Sequence, residues 1–143
     1  MFKKKLINYK ETVHLINSNY YDLHEWIDNN LSNTKLKKVI AFCFNLYELT
    51  DGSYEMDLVG TSSFDPDDED WACDEVTDFN SRNPYYRFKV DGVWKKVLNY
   101  ICKEIKEYLE NGKYSSVLKS KEGVAVGFAD GNLKILYQNN KKP

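Results

Sequence analysis

The residues from Lys38 to Leu58 restrict the fold more than any other part of the chain. The run VIAFCFNLYEL is rich in aromatic and β-branched residues and is apolar at both odd and even positions, the pattern of a strand covered on two faces. Such a strand belongs in the middle of a sheet. Asp51–Gly52 then supplies a hairpin turn, and SYEMDLVG alternates Tyr54, Met56 and Leu58 against Glu55 and Asp57. The second strand should therefore return antiparallel with one face wet.

Helices are expected on either side of this hairpin. Between Tyr9 and Leu31 the apolar residues Val13, Ile16, Tyr20, Leu23, Trp26 or Ile27, and Leu31 recur at steps of three and four, giving a first amphipathic helix with a break near NSNYYD. Trp94, Val97, Leu98, Ile101, Ile105, Tyr108 and Leu109 mark a second, with Asp91 as its cap and Asn111–Gly112 as its stop. NPYYRFKVDG alternates as a short strand or extended arm, KYSSVLKSK adds a helical turn, and GVAVGFADGNLKILYQ reads as a hairpin bending at Asp130–Gly131–Asn132. The tail NNKKP is expected to fray. These elements give one α+β domain spanning 1–143, an antiparallel sheet of about four to five strands covered by helices. Their order is α-β-β-(acidic loop)-β-α-β-β.

The chain has 143 residues, enough for one sizeable core. No apolar run approaches the roughly 20 residues that a membrane span requires, and the basic start MFKKKLINYKET is not followed by the apolar stretch of a signal peptide. Cys43, Cys73 and Cys102 are odd in number and far apart, which suits a reducing compartment. A cytoplasmic protein with no membrane association is expected.

Charge is distributed unevenly. Asp65, Asp67, Asp68, Glu69, Asp70, Asp74, Glu75 and Asp78 fall within SSFDPDDEDWACDEVTDF, where no basic residue separates them and Trp71 stands in the middle. The remaining 14 of the 22 acids face all 20 lysines and arginines, so the rest of the chain is net basic. A calcium loop is matched at Asp65, Asp67 and Glu69, but its sixth place holds Asp70 where glycine is needed and its twelfth holds Val76 where a bidentate glutamate is needed. His14 and His24 are the only histidines and lie ten residues apart, and no two cysteines have ligand spacing, so neither zinc nor any other metal or cofactor is expected. Cys73 is crowded by carboxylates, which disfavour a thiolate, and no phosphate loop, G-x-S-x-G or HExxH motif is present. The acids also repel a nucleic-acid backbone.

Two readings of the window remain. In one, Trp71, Ala72 and Val76 form a turn that packs inward beneath solvated acids. In the other, the acids stay exposed for a basic partner, steering its approach, and Trp71 fills a pocket on it. Together with the neighbouring strands, VIAFCFNLYELTDGSYEMDLVGTSSFDPDDEDWACDEV through GVAVGFADGNLKILY resembles the small acidic-looped immunity proteins of bacterial polymorphic toxin systems, including those of contact-dependent inhibition, over roughly residues 38–137. The resemblance implies a non-enzymatic protein that binds a cognate toxin domain, often a nuclease, and blocks its active site. Asp67, Asp68, Glu69, Asp70, Trp71, Asp74, Glu75 and Asp78 are the candidate partner-binding residues, within a docking loop at 64–79. The alternatives are a small carboxylate-dependent or divalent-metal enzyme, and a homo-oligomer in which the basic remainder of one copy meets the acidic loop of the next.

Overall fold

The computed structural model describes residues 22–32, 35–82, 85–90, 92–129 and 131–139, together with the backbone of 13–15. In chain order these form β1 (Val13–Leu15), α1 (Leu23–Leu31), β2 (Ala41–Glu48), β3 (Tyr54–Thr61), a 3-10 turn (Glu69–Cys73) and β4 (Glu75–Asn80). There follow β5 (Tyr86–Val90), α2 (Trp94–Asn111), α3 (Ser115–Lys119), β6 (Gly123–Phe128) and β7 (Lys134–Gln138). The α+β class stands.

The expected hairpin is β2–β3, paired antiparallel from Ala41 opposite Thr61 to Glu48 opposite Tyr54. Gly52 takes φ +84° in its turn, a conformation that glycine adopts without steric cost. The sheet around it is larger than expected and is not wholly antiparallel. Its order is β1-β5-β3-β2-β6-β7, with β4 paired to β3 off that path, and β2 runs parallel to β6. The antiparallel expectation rested on hairpins, which fix only sequential neighbours. Here helices α2 and α3 intervene before β6, and a helical crossover can return the chain in the direction it left.

The expected first helix is corrected too. Only Leu23–Leu31 is helical, with Asp22 as N-cap accepting from the Glu25 N–H at 2.9 Å, whereas Val13–Leu15 is a strand paired with β5. The remainder of that expected helix, the basic N-terminus, Asp91, Asp130 and residues 140–143 lie outside the described residues. Helix α2 ends where expected, and the Gly112 N–H donates to the Tyr108 carbonyl at 2.7 Å.

Strand alternation sorts side chains onto two faces. Phe42, Phe44, Leu46, Met56, Leu58, Val124 and Val126 face α1 and α2 and form one buried core with Trp26, Ile27, Ile101, Ile105 and Tyr108. Ala41, Cys43, Val59 and Ala125 point the other way into a smaller cluster that includes Trp71. Trp94, placed by sequence in the buried helical stripe, is half exposed at the first turn of α2.

One edge of β3 is shared by two strands, with β5 opposite Tyr54 to Met56 and β4 opposite Val59 and Thr61. At the fork, Leu58 is satisfied by Ser81: its N–H donates to Ser81 Oγ at 2.7 Å, and its carbonyl accepts from the Ser81 N–H at 3.0 Å. Ser81 thus replaces a ladder partner, and the next residue, Arg82, is delivered over the face that the helices leave uncovered.

Candidate functional site

The acidic window folds onto that second face. Its ends are tied by the Ser62 N–H donating to the Asp74 carbonyl at 2.8 Å, and Ser63 Oγ donates to the Asp74 carboxylate at 2.7 Å. Inside the loop, Asp65 accepts from the Asp67 N–H at 2.9 Å and Asp68 from the Asp70 N–H at 3.0 Å, two side-chain turns of the kind that short acidic residues form. They lead into the 3-10 turn, whose single buried residue is Trp71.

Trp71 is 3 % exposed and packs edge-to-face on Phe64 at 4.9 Å, above Ala41, Cys43, Val59 and Ala125. The expectation of an exposed indole waiting for a partner is therefore corrected. Apolar area on the uncovered side of β2 and β6 takes the ring inward, as in the packing alternative, and the same rotation turns its acidic neighbours outward. Phe64 in turn occupies the space where Gly123 lacks a side chain.

Asp67, Asp68, Glu69, Asp70 and Asp74 are all exposed. Among the described residues, Asp67, Asp68 and Asp70 have no cationic nitrogen within ion-pair distance. Glu69 accepts from the Leu133 N–H at 3.1 Å, fastening the ridge to the β6–β7 loop. Glu75 and Asp78 are engaged differently. Glu75 forms a bidentate pair with Arg82, at 2.8 and 2.5 Å, and Asp78 lies 3.8 Å from Lys38. The window is thus an ordered ridge with an open crest and a neutralised flank, and that flank is a strand, β4, where a loop is expected from sequence.

Beside the ridge lies a depression of about 340 Å³ bordered by Glu69, Asp70, Cys73, Tyr47 and Arg82. Sequence reading misses the group beneath it. Asp57, expected on a wet face, is wholly buried and accepts from Asn45 Nδ2 at 3.0 Å, Tyr47 Oη at 3.1 Å and Arg82 Nε at 3.0 Å. Asn45 interrupting an otherwise apolar strand is the one signal, because the hairpin register sets it opposite Asp57. Arg82, 25 residues away, cannot be paired by any local pattern.

These groups are locked. Hydrogen bonding to Glu75 and Asp57 raises the Arg82 guanidinium above its usual range despite partial burial, and burial with the Asp57 charge raises the Tyr47 phenol. Burial, helped by the charge of Asp57, pushes the Cys43 thiol up to about 12, so it is inert at neutral pH. Among the described residues, the ridge acids form no group of three converging metal-ligand atoms. No helix among the described residues is long and apolar enough to cross a membrane.

Comparison with known proteins adds no relative: no family model, no curated protein and no solved structure matches the chain.

Proposed function

We propose that the chain is a non-catalytic cytoplasmic binding protein, an immunity protein that neutralises a cognate toxin domain by seating its acidic ridge on the basic surface of the toxin's active site. The observation that carries this reading is the set Asp67, Asp68 and Asp70, exposed and without an internal cation among the described residues, on a turn that buried Trp71 anchors. A flexible run of acids would need no such foundation. Fixed carboxylates fit a groove built for phosphates, as in a nuclease, and their field accelerates encounter.

With the indole inside, grip must come from elsewhere than Trp71. The depression between the ridge and Tyr47 offers a pocket for one lysine or arginine of the partner, with Glu69 and Asp70 at its rim. The alternative of a carboxylate enzyme draws less support, because Asp57, the one carboxylate among the described residues that is completely buried on this face, is already held by three donors.

The test uses Asp67→Asn, Asp68→Asn and Asp70→Asn combined, which removes charge while keeping the acceptor oxygens of the turns. Association with the product of the adjacent reading frame is followed by stopped-flow at low and at high salt. The parent should associate at least about tenfold faster than the triple variant at low salt, and the two should converge as salt rises. Equal rates at low salt would remove the ridge from the interface.

A further inference from the structure

The second histidine of the chain lies where two helices meet. His24 occupies the second position of α1, while Glu104 and Glu107 lie three residues apart on α2, a spacing that puts both carboxylates on one side of that helix. One ligand atom from each of the three side chains falls within 4.8 Å of the other two. His24 Nε2 is buried without a hydrogen-bond partner, and its nearest acidic oxygen, Glu104 Oε1, stands at 3.8 Å, beyond hydrogen-bond reach. An imidazole nitrogen withdrawn from water and given nothing to bond is costly, so the arrangement requires an explanation.

We infer that His24, Glu104 and Glu107 form a binding site for a divalent transition-metal ion, of which zinc is the best-fitting representative. Metal bonds of about 2.1 Å at the tetrahedral angle set ligand atoms roughly 3.4 Å apart, so atoms that lie within 4.8 Å of one another already approach that spacing. The charge also balances, because two carboxylates and one neutral imidazole match a dication. Donor type selects among ions. A single imidazole with two carboxylates is far from the six to eight oxygens that calcium takes, and it suits zinc better than the strongly hydrated magnesium ion.

The surroundings hold the ligands in place. The His24 ring meets the Tyr108 ring edge-on at 5.2 Å, and Tyr108 Oη donates to Asp28 Oδ1 at 2.6 Å, fixing the tyrosine against α1. Glu104 is 3 % exposed, whereas His24 and Glu107 are only partly buried, so an ion can enter from solvent and keep a water as its fourth ligand. The ion would staple α1 to α2 on the side of the sheet away from the acidic ridge. Histidine spacing within the sequence hides this set, because its members are brought together by folding.

The experiment titrates zinc chloride into chelator-treated protein by calorimetry, with Cys73→Ser as the common background to remove the one exposed thiol, and repeats the titration with cobalt to read the visible absorption of a coordinated ion. One equivalent should bind, the melting temperature should rise with zinc concentration, and His24→Gln and Glu107→Gln should each weaken binding by at least about tenfold. Asp67→Asn combined with Asp68→Asn should leave it unchanged. Glu107 is partly exposed, so its variant keeps the test valid if His24→Gln folds poorly. Absence of saturable binding, or binding of equal strength in Glu107→Gln, would overturn the assignment.

Discussion

The two faces of the sheet solve opposite problems with the same strands. On the covered face, Phe42, Phe44, Leu46, Met56 and Leu58 meet two helices and exclude water almost completely. On the other, the same β2 and β3 present Cys43, Asn45, Tyr47 and Asp57, and among the described residues a five-residue turn anchored by Trp71 covers part of them while Arg82 reaches Asp57. One face is assembled from apolar area, which is indifferent to direction. The other is assembled from donors and acceptors that must meet in one geometry, and its smaller apolar cluster seats Trp71 of the acidic ridge. Apolar burial is concentrated on the first face and exposed charge on the second.

Phe44→Ala should have the largest effect, a loss of about 3–5 kcal/mol in global stability by urea unfolding, because the cavity it leaves cannot fill with water. Trp71→Ala should cost less, about 2–3 kcal/mol, since partly exposed Phe64, Ala72 and Leu133 can close over the gap. Its distinguishing mark is location: hydrogen exchange at the amides of Asp68 to Asp74 should quicken far more than exchange in β2. Equal acceleration of both would mean that the faces unfold as one unit.

Arg82→Ala should cost about 2–3 kcal/mol, below the value for a wholly buried pair because the guanidinium is 34 % exposed. Asp57→Asn added to it should recover part of that loss, since the buried carboxylate is what remains uncompensated. Alkali tests both faces together. Burial raises the phenols of Tyr86 and Tyr108 on the helical side and of Tyr47 on the other, so the folded state holds these protons more tightly than the unfolded chain does. Their contribution is fully present below the ordinary phenol range near pH 10 and declines as pH rises through it, and Tyr47→Phe should make the decline in the urea midpoint less steep. The smallest effect belongs to the triple amide variant of Asp67, Asp68 and Asp70, which should keep the parent melting behaviour to within about 0.5 kcal/mol.

Much of the covered face is legible in the sequence because periodicity reports burial. The β2–β3 hairpin, helix α2 and the β6–β7 hairpin all follow from spacing and turn residues. Elements governed by partners distant in sequence are not. β1 is three residues long, too short for alternation to be told from helical spacing, and its pairing with β5 spans more than seventy positions. In β4 the buried residues Val76 and Phe79 are three apart because its pairing with β3 is irregular, so the strand lacks the period of two that would identify it. At the site, the exposure of the acids is readable, but the inward turn of Trp71 is legible only as one of two readings, since the choice depends on small residues of β2 and β6 leaving room for a ring.

The surface on which Trp71 rests includes Ala125, Leu133 and Ile135, which are synthesised more than fifty residues after the indole itself. A nascent chain that has just emerged past Asp78 therefore carries all eight carboxylates but lacks the part of the indole's seat that Ala125, Leu133 and Ile135 supply. The seat beneath the acidic ridge is therefore complete only after β6 and β7 have been synthesised, so the order in which the carboxylates become fixed follows the direction of translation.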